Sequence, residues 1–214
     1  KVTGKVAFDL YQSYGFPLEI TLDTLSQRGK TLDKKEFEDE FEKHKELSRT
    51  DSAGMFKGGL VDNSEEVAKL HTTTHLLHAS LRKILGEGVS QKGSNITLER
   101  LRFDFSYPQK LTNEELTKVE DLINLQIEKK LSVSFKIMSF DEAIKSGALH
   151  FFAEKYGKEV RVYSIGPSTS SGFPFSREIC GGPHVKNTSE MGRVKIIKQE
   201  KVGTEILRIY AKLG

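Results

Sequence analysis

Four residues of this chain have the types and spacing that could hold a metal ion: His71, His75, Cys180 and His184. His71 and His75 stand four residues apart in HTTTHLLH, a spacing that places both imidazoles on one side of a helix. Cys180 and His184 stand four residues apart in CGGPH, and Cys180 is the only cysteine of the chain. Imidazole and thiolate groups suit Zn²⁺, and four of them fill its tetrahedron. We therefore predict that the two pairs converge on one zinc ion.

Each half of this pattern is common by chance, so isolated core or surface histidines are the alternative interpretation. The metal prediction depends on the two halves acting together. If one coordination position went to water, zinc could generate a nucleophile near neutral pH. Two of the other histidines have simpler explanations. His78 lies one turn beyond His75 but on another side of the helix, where we expect a polar contact, and His44 lies among charged residues, as a solvated side chain would.

Composition limits the class of protein and its surroundings. The chain has 214 residues, of which 36% are hydrophobic and 29% charged, as expected for a soluble globular protein. No apolar run approaches the roughly 20 residues that a membrane span needs, so we expect no membrane partner. A single cysteine excludes an internal disulfide framework and indicates a reducing compartment, the cytoplasm. The net charge of +3 permits nucleic-acid binding without indicating it.

The pattern of elements divides the chain into a helical module and a larger α+β domain. Residues 1–50 have helical periodicity and many charges, and the missing initiator methionine suggests a piece of a longer protein. Residues 51–63 are rich in glycine and polar residues, which is typical of a linker. In residues 64–214 we predict a long helix ending at Gly86, a strand through Ile96 and Phe105, a helix capped by Thr112, and further strands. Because βαβ alternation is absent, we expect packed helices and a largely antiparallel sheet.

Several stretches resemble the alanyl-tRNA synthetase family, and together they cover nearly the whole chain. Residues 7–21 (AFDLYQSYGFPLEIT) are similar to the end of the tRNA-recognition region of that family. Residues 71–94 and 101–106 are similar to the start of its editing domain, and CGGPHV is similar to its second metal motif. The family usually carries threonine where Pro183 stands. The threonyl-tRNA synthetases share the two metal motifs, but they do not account for AFDLYQSYGFP.

The resemblance implies a fold and a function. The fold would be the second additional domain type of threonyl- and alanyl-tRNA synthetases. The implied function of residues 64–214 is editing, the hydrolysis of Ser-tRNA(Ala) and of Gly-tRNA(Ala), within a class II ligase that attaches alanine to tRNA(Ala) using ATP. The expected partners are the acceptor end of the mischarged tRNA and the remainder of the synthetase.

The resemblance also assigns roles to single residues. It makes His71, His75, Cys180 and His184 the zinc ligands and places Gln91 in the catalytic pocket. Arg102 and Asp104 would help to bind substrate, and a structural ion pair is an equally good explanation for those two. Whether zinc activates water or only orients the substrate stays open.

Two alternatives to an editing enzyme remain. The first is a binding module, in which zinc only stabilises the fold and the chain binds the acceptor stem without catalysing a reaction. Structural zinc sites also have four protein ligands. The second is a contribution to alanine activation. The chain lacks a glycine-rich phosphate loop, and we therefore do not expect it to activate alanine by itself.

Overall fold

The computed structural model describes residues 2–14, 18–50, 64–150, 158–167 and 173–214. The chain divides into two compact units, Lys1–Ala53 and Gly54–Gly214. The predicted linker, residues 51–63, lies outside the described residues, and so does the side chain of His44.

The first unit contains three helices: α1 (Gly4–Tyr14), α2 (Leu18–Gln27) and α3 (Lys34–Thr50). Its small core consists of Ala7, Phe8 and Phe37, with Leu18, Leu32 and Phe41 packed against them. Thr21, whose hydroxyl makes it a candidate N-cap, is not the cap of α2, because the helix begins at Leu18 and Thr21 lies inside it, buried. An apolar residue can start a helix, and sequence periodicity locates helix ends poorly.

The second unit combines helices with antiparallel sheets, as predicted. Its helices are α4 (Glu65–Leu85), α5 (Asn113–Glu128) and α6 (Phe140–Lys145). A four-stranded sheet has the order β1-β2-β7-β6, formed by Gln91–Ile96, Leu101–Ser106, Ile206–Leu213 and Val194–Lys201 respectively. A three-stranded sheet has the order β3-β4-β5, formed by Val133–Ser139, Glu159–Ile165 and Ser176–Ile179. All pairings between these strands are antiparallel.

Two strands differ from the prediction. The single strand expected through Ile96 and Phe105 is a hairpin, because residues 97–100 turn the chain between β1 and β2. Leu98, which we placed in the strand, is 55% exposed in that turn. Strand β5, four residues long and ending immediately before Cys180, is not indicated by the sequence pattern.

Helix α4 is the element that holds half of the candidate site. Ser64 caps it by accepting a hydrogen bond from the Val67 N–H, and the helix ends before Gly86. The apolar residues Val67, Leu70, Leu77 and Leu81 of α4 are buried in the main core, together with residues of α5 and of the four-stranded sheet. The polar residues from His71 to His75 are buried too, so α4 is covered on more than its apolar side. Because burying a polar group without a hydrogen bond is costly, these side chains need partners.

The helices give no indication of a membrane span. Among the residues that the structure describes, no helix is both long enough and apolar enough to cross a bilayer.

Candidate metal centre

The structure brings together the four side chains that the sequence singled out. Each of His71, His75, Cys180 and His184 offers one ligand atom, and these atoms lie within 4.8 Å of one another. The two buried histidines come from the middle of α4, and the half-buried Cys180 and His184 come from the loop that follows β5. The centre therefore joins a rigid helix to a loop that reaches the surface of its unit.

His71 is held from both sides by the loop. Its Nδ1 lies 3.2 Å from the carbonyl oxygen of Pro183, and its Nε2 lies 3.3 Å from the sulfur of Cys180. A methyl group at Gly182 would overlap the imidazole of His71, so only glycine lets the backbone come this close. The backbone N–H of Cys180 donates to the carbonyl of Arg161 at 3.0 Å, which anchors the loop to β4.

His184 completes the group from the other end of the loop. Its ring centroid lies 4.3 Å from that of His71 and 4.5 Å from that of His75. Its Nδ1 lies 3.2 Å from the hydroxyl oxygen of Thr72, whereas its Nε2 is buried without a hydrogen-bond partner among the described residues. A buried nitrogen without a partner, in a cluster of three imidazoles and one thiol, fits a metal ligand.

The electrostatic environment keeps the metal-free ligands uncharged. Burial lowers the pKa of His71 to about 3, and a charge on His75 would lower it further. Burial likewise lowers the pKa of His75 and carries that of His184 well below its ordinary value. Burial raises the pKa of the Cys180 thiol to about 12. Neutral imidazoles are ready to bind a cation, and the thiol must release its proton when the metal enters.

Glu178 is a functional candidate that was not predicted from the sequence. Its carboxylate is buried, 2.9 Å from Nδ1 of His78 and 3.7 Å from Nδ1 of His75. The expected polar contact of His78 is thus confirmed. Burial alone would raise the pKa of Glu178, but the adjacent His75 and His78 lower it. The sequence does contain a signal for this residue. Glu178 and Cys180 stand two residues apart, and in an extended segment side chains two residues apart point to the same face.

The remaining predicted site residues lie in the first hairpin of the four-stranded sheet. Gln91 begins β1, and its side-chain N–H donates to the hydroxyl of Ser94 at 3.1 Å. Asp104 accepts two hydrogen bonds from Arg208, at 2.7 and 2.9 Å, while Nε of Arg102 lies 3.7 Å from it. Asp104 is therefore in a structural ion pair with Arg208, whereas Nε and Nη1 of Arg102 are buried without a hydrogen-bond partner among the described residues. The role of Arg102 and Asp104 in substrate binding stays a prediction. Arg208 was not predicted, and the catalytic role of Gln91 stays a prediction.

Two family models match the chain. Residues 1–96 match the class II (A) tRNA synthetases, and residues 160–210 match the threonyl and alanyl tRNA synthetase second additional domain. The first match contains His71, His75 and Gln91, and the second contains Cys180 and His184.

Curated relatives extend the match to the whole chain. The chain is 50% identical over 212 residues to the alanine–tRNA ligase of Borrelia hermsii, covering 99% of this chain and 35% of that protein. It is 48% identical to that of Treponema denticola and 47% identical to that of Treponema pallidum, covering 99% and 100% of this chain and 34% of each relative. The chain therefore spans about a third of the length of these relatives, and it belongs by sequence to the alanine–tRNA ligase family.

Proposed function

We propose that this chain hydrolyses the ester bond of tRNA(Ala) mischarged with serine or glycine, at a zinc centre formed by His71, His75, Cys180 and His184. The observation that carries the proposal is the convergence of these four ligand side chains from two distant segments of the chain. The match of residues 160–210 to the second additional domain of threonyl and alanyl tRNA synthetases supports it.

The substrate follows from a physical limit on the selection of alanine. A pocket that admits alanine cannot exclude glycine by size, and one extra hydroxyl or one missing methyl group changes binding by only about 1–3 kcal/mol. A ligase that selects alanine therefore charges some tRNA(Ala) with serine and glycine. A second site that hydrolyses these products restores accuracy, and we assign that task to the unit containing the metal centre.

The proposed roles follow from the position of each side chain. A bound zinc ion would supply Lewis-acid chemistry, by polarising either the ester carbonyl or a water molecule. His71 and His75 are buried and fix the centre to α4, whereas Cys180 and His184 are half-buried and attach it to the loop after β5, the side from which we propose that the substrate enters. Gln91 is the proposed catalytic-pocket residue, since its amide can both donate and accept hydrogen bonds to an aminoacyl ester.

The wider setting of the activity is part of the proposal. The curated relatives are ligases about three times as long as this chain, and we infer that the chain works with the rest of such an enzyme. That enzyme would attach alanine to tRNA(Ala) using ATP, in the cytoplasm, and the mischarged acceptor end would reach the metal centre afterwards. The single cysteine suits a reducing compartment in which the thiol stays available for metal.

A deacylation assay combined with metal analysis tests the proposal. Purified protein is incubated with Ser-tRNA(Ala) and, separately, with Ala-tRNA(Ala), and its zinc content is measured. We expect hydrolysis of the serine ester, and we expect Cys180→Ala to lose zinc and hydrolysis together. His150→Ala is the matched control, because His150 is an exposed histidine outside the cluster. Full hydrolysis by metal-free protein would contradict the proposal.

The binding-module alternative predicts a different result. Four protein ligands can close a zinc tetrahedron, as structural sites do. In that case the chain would bind zinc and the acceptor stem, Cys180→Ala would reduce its stability, and Ser-tRNA(Ala) would stay intact. The serine-ester assay therefore decides between the two functions.

A further inference from the structure

We infer that Thr72 is a positioning residue that fixes the tautomer of His184, so that His184 presents an unprotonated Nε2 to the centre. The inference rests on the proposed metal centre and concerns a residue that is not itself a ligand. Thr72 lies next to His71 on α4 and is fully buried.

The hydroxyl of Thr72 contacts three polar groups. Its oxygen lies 2.9 Å from the carbonyl oxygen of Ala68, 3.2 Å from Nδ1 of His184 and 3.3 Å from the backbone nitrogen of Val185. A hydroxyl group has one proton to donate and two lone pairs to accept with. The carbonyl of Ala68 can only accept and the N–H of Val185 can only donate, so the direction of these two hydrogen bonds is settled.

The third hydrogen bond then has one favoured direction. With the hydroxyl proton on the carbonyl of Ala68, Thr72 can only accept from His184, and Nδ1 of His184 must carry a proton. The competing arrangement, in which Thr72 donates to His184, would give up the shorter contact for the longer one. The neighbours Thr73 and Thr74 also donate to the carbonyl four residues earlier, each at 3.0 Å, so this rotamer is the rule on this helix.

The consequence for the centre is that Nε2 of His184 holds a free lone pair. A neutral imidazole carries one proton, and here it is on Nδ1. Nε2 is buried and has no hydrogen-bond partner among the described residues, so a metal ion is the partner that its lone pair suits. The carbonyl oxygen of Pro183 can likewise accept a hydrogen bond from Nδ1 of His71, which leaves the lone pair of His71 on Nε2. A hydrogen bond to the far nitrogen generally fixes the orientation of a metal-binding histidine.

Thr72 also ties the two halves of the centre together. It is separated from His184 by 112 positions and from Val185 by 113, and one oxygen atom bonds to both. Losing this hydroxyl would remove two hydrogen bonds between the loop and α4, and with them the preference of His184 for one tautomer. We therefore expect a larger effect on metal binding than the loss of one ordinary hydrogen bond would produce.

Three variants of the full chain test the inference. Thr72→Val keeps the shape of the side chain and removes the hydroxyl, whereas Thr72→Ser keeps the hydroxyl. Thr73→Val is the matched control, because Thr73 is equally buried and its hydroxyl bonds to Lys69 on the same helix. Zinc affinity is measured by chelator competition. We expect Thr72→Val to weaken it by about 10- to 100-fold, and the other two variants to stay within about threefold of the original protein.

A second measurement detects the tautomer directly and needs no metal. Nitrogen-15 NMR of the His184 ring in the metal-free, unsubstituted protein should place the proton on Nδ1, and in Thr72→Val this preference should be lost. The inference is overturned if the unsubstituted protein carries the proton on Nε2, or if Thr72→Val binds zinc as tightly as the original. If Thr72→Val does not fold, the spectrum of the unsubstituted protein and Thr72→Ser still decide. A protein that binds no zinc at all refutes the proposed function instead, whatever the tautomer.

Discussion

Replacing Gly182 by alanine should damage the metal centre by steric overlap rather than by removing a ligand. A methyl group at position 182 would overlap two atoms of the His71 ring and lie 3.3 Å from a third, its Nε2. The ring cannot move away freely, because Nδ1 is bound to Pro183 and Nε2 faces Cys180. Either the loop or His71 must therefore shift.

The size of the effect follows from this overlap. Forcing a methyl group into a packed site costs about 1–3 kcal/mol. For a unit of this size, each kcal/mol lowers the melting temperature by about 2–4 °C. We expect Gly182→Ala to lower the melting temperature of the metal-free protein by about 2–12 °C. Zinc affinity should fall by about 10- to 100-fold or more, since removal of a hydrogen-bond partner of a metal ligand already has an effect of that size.

The assay is thermal unfolding of the metal-free protein together with chelator competition for zinc. Gly88→Ala is the control, since the described residues leave open space around its added methyl group and its backbone is not left-handed. Unchanged melting temperature and zinc affinity in Gly182→Ala would show that the loop does not pack against His71 as described.

Three other predictions concern buried titratable groups. Asp104→Asn should destabilise the protein by about 3–5 kcal/mol in urea unfolding, because Arg208 loses its buried partner, and an unchanged midpoint would refute this. The metal-free protein should lose stability as the pH falls below 6.5, by about 1.4 kcal/mol per pH unit from His71 alone. In this range the imidazole of His71 is protonated in the unfolded chain but stays neutral in the folded protein, where its pKa is lowered to about 3. Melting curves at pH 7 and pH 5 check this, and equal melting temperatures would count against it. Glu178→Gln should weaken zinc binding by about tenfold in chelator competition, since it removes the carboxylate beside His75, and an unaltered affinity would exclude that support.

The sequence predicted the elements that carry strong periodicity. Helix α4 and the convergence of its two histidines with Cys180 and His184 follow from spacing and from the chemistry of the residue types. The hairpin between β1 and β2 does not, because residues 97–100 contain none of the glycine, proline or asparagine that usually mark a turn.

The partners of buried polar groups were harder to predict. Arg208 meets Asp104 only because β2 and β7 pair in a register that places these residues opposite each other. That register is set by contacts between distant strands and leaves no local pattern in the sequence. The hydroxyl of Thr72 reaches His184 for a comparable reason, since the loop after β5 must first fold back onto α4.

The distance along the chain between the two halves of the centre has a consequence for synthesis on the ribosome. Cys180 emerges 109 residues after His71. At a translation rate of about 5–20 residues per second, Cys180 is synthesised roughly 5–20 s after His71. The metal centre therefore cannot close until most of this unit has been synthesised.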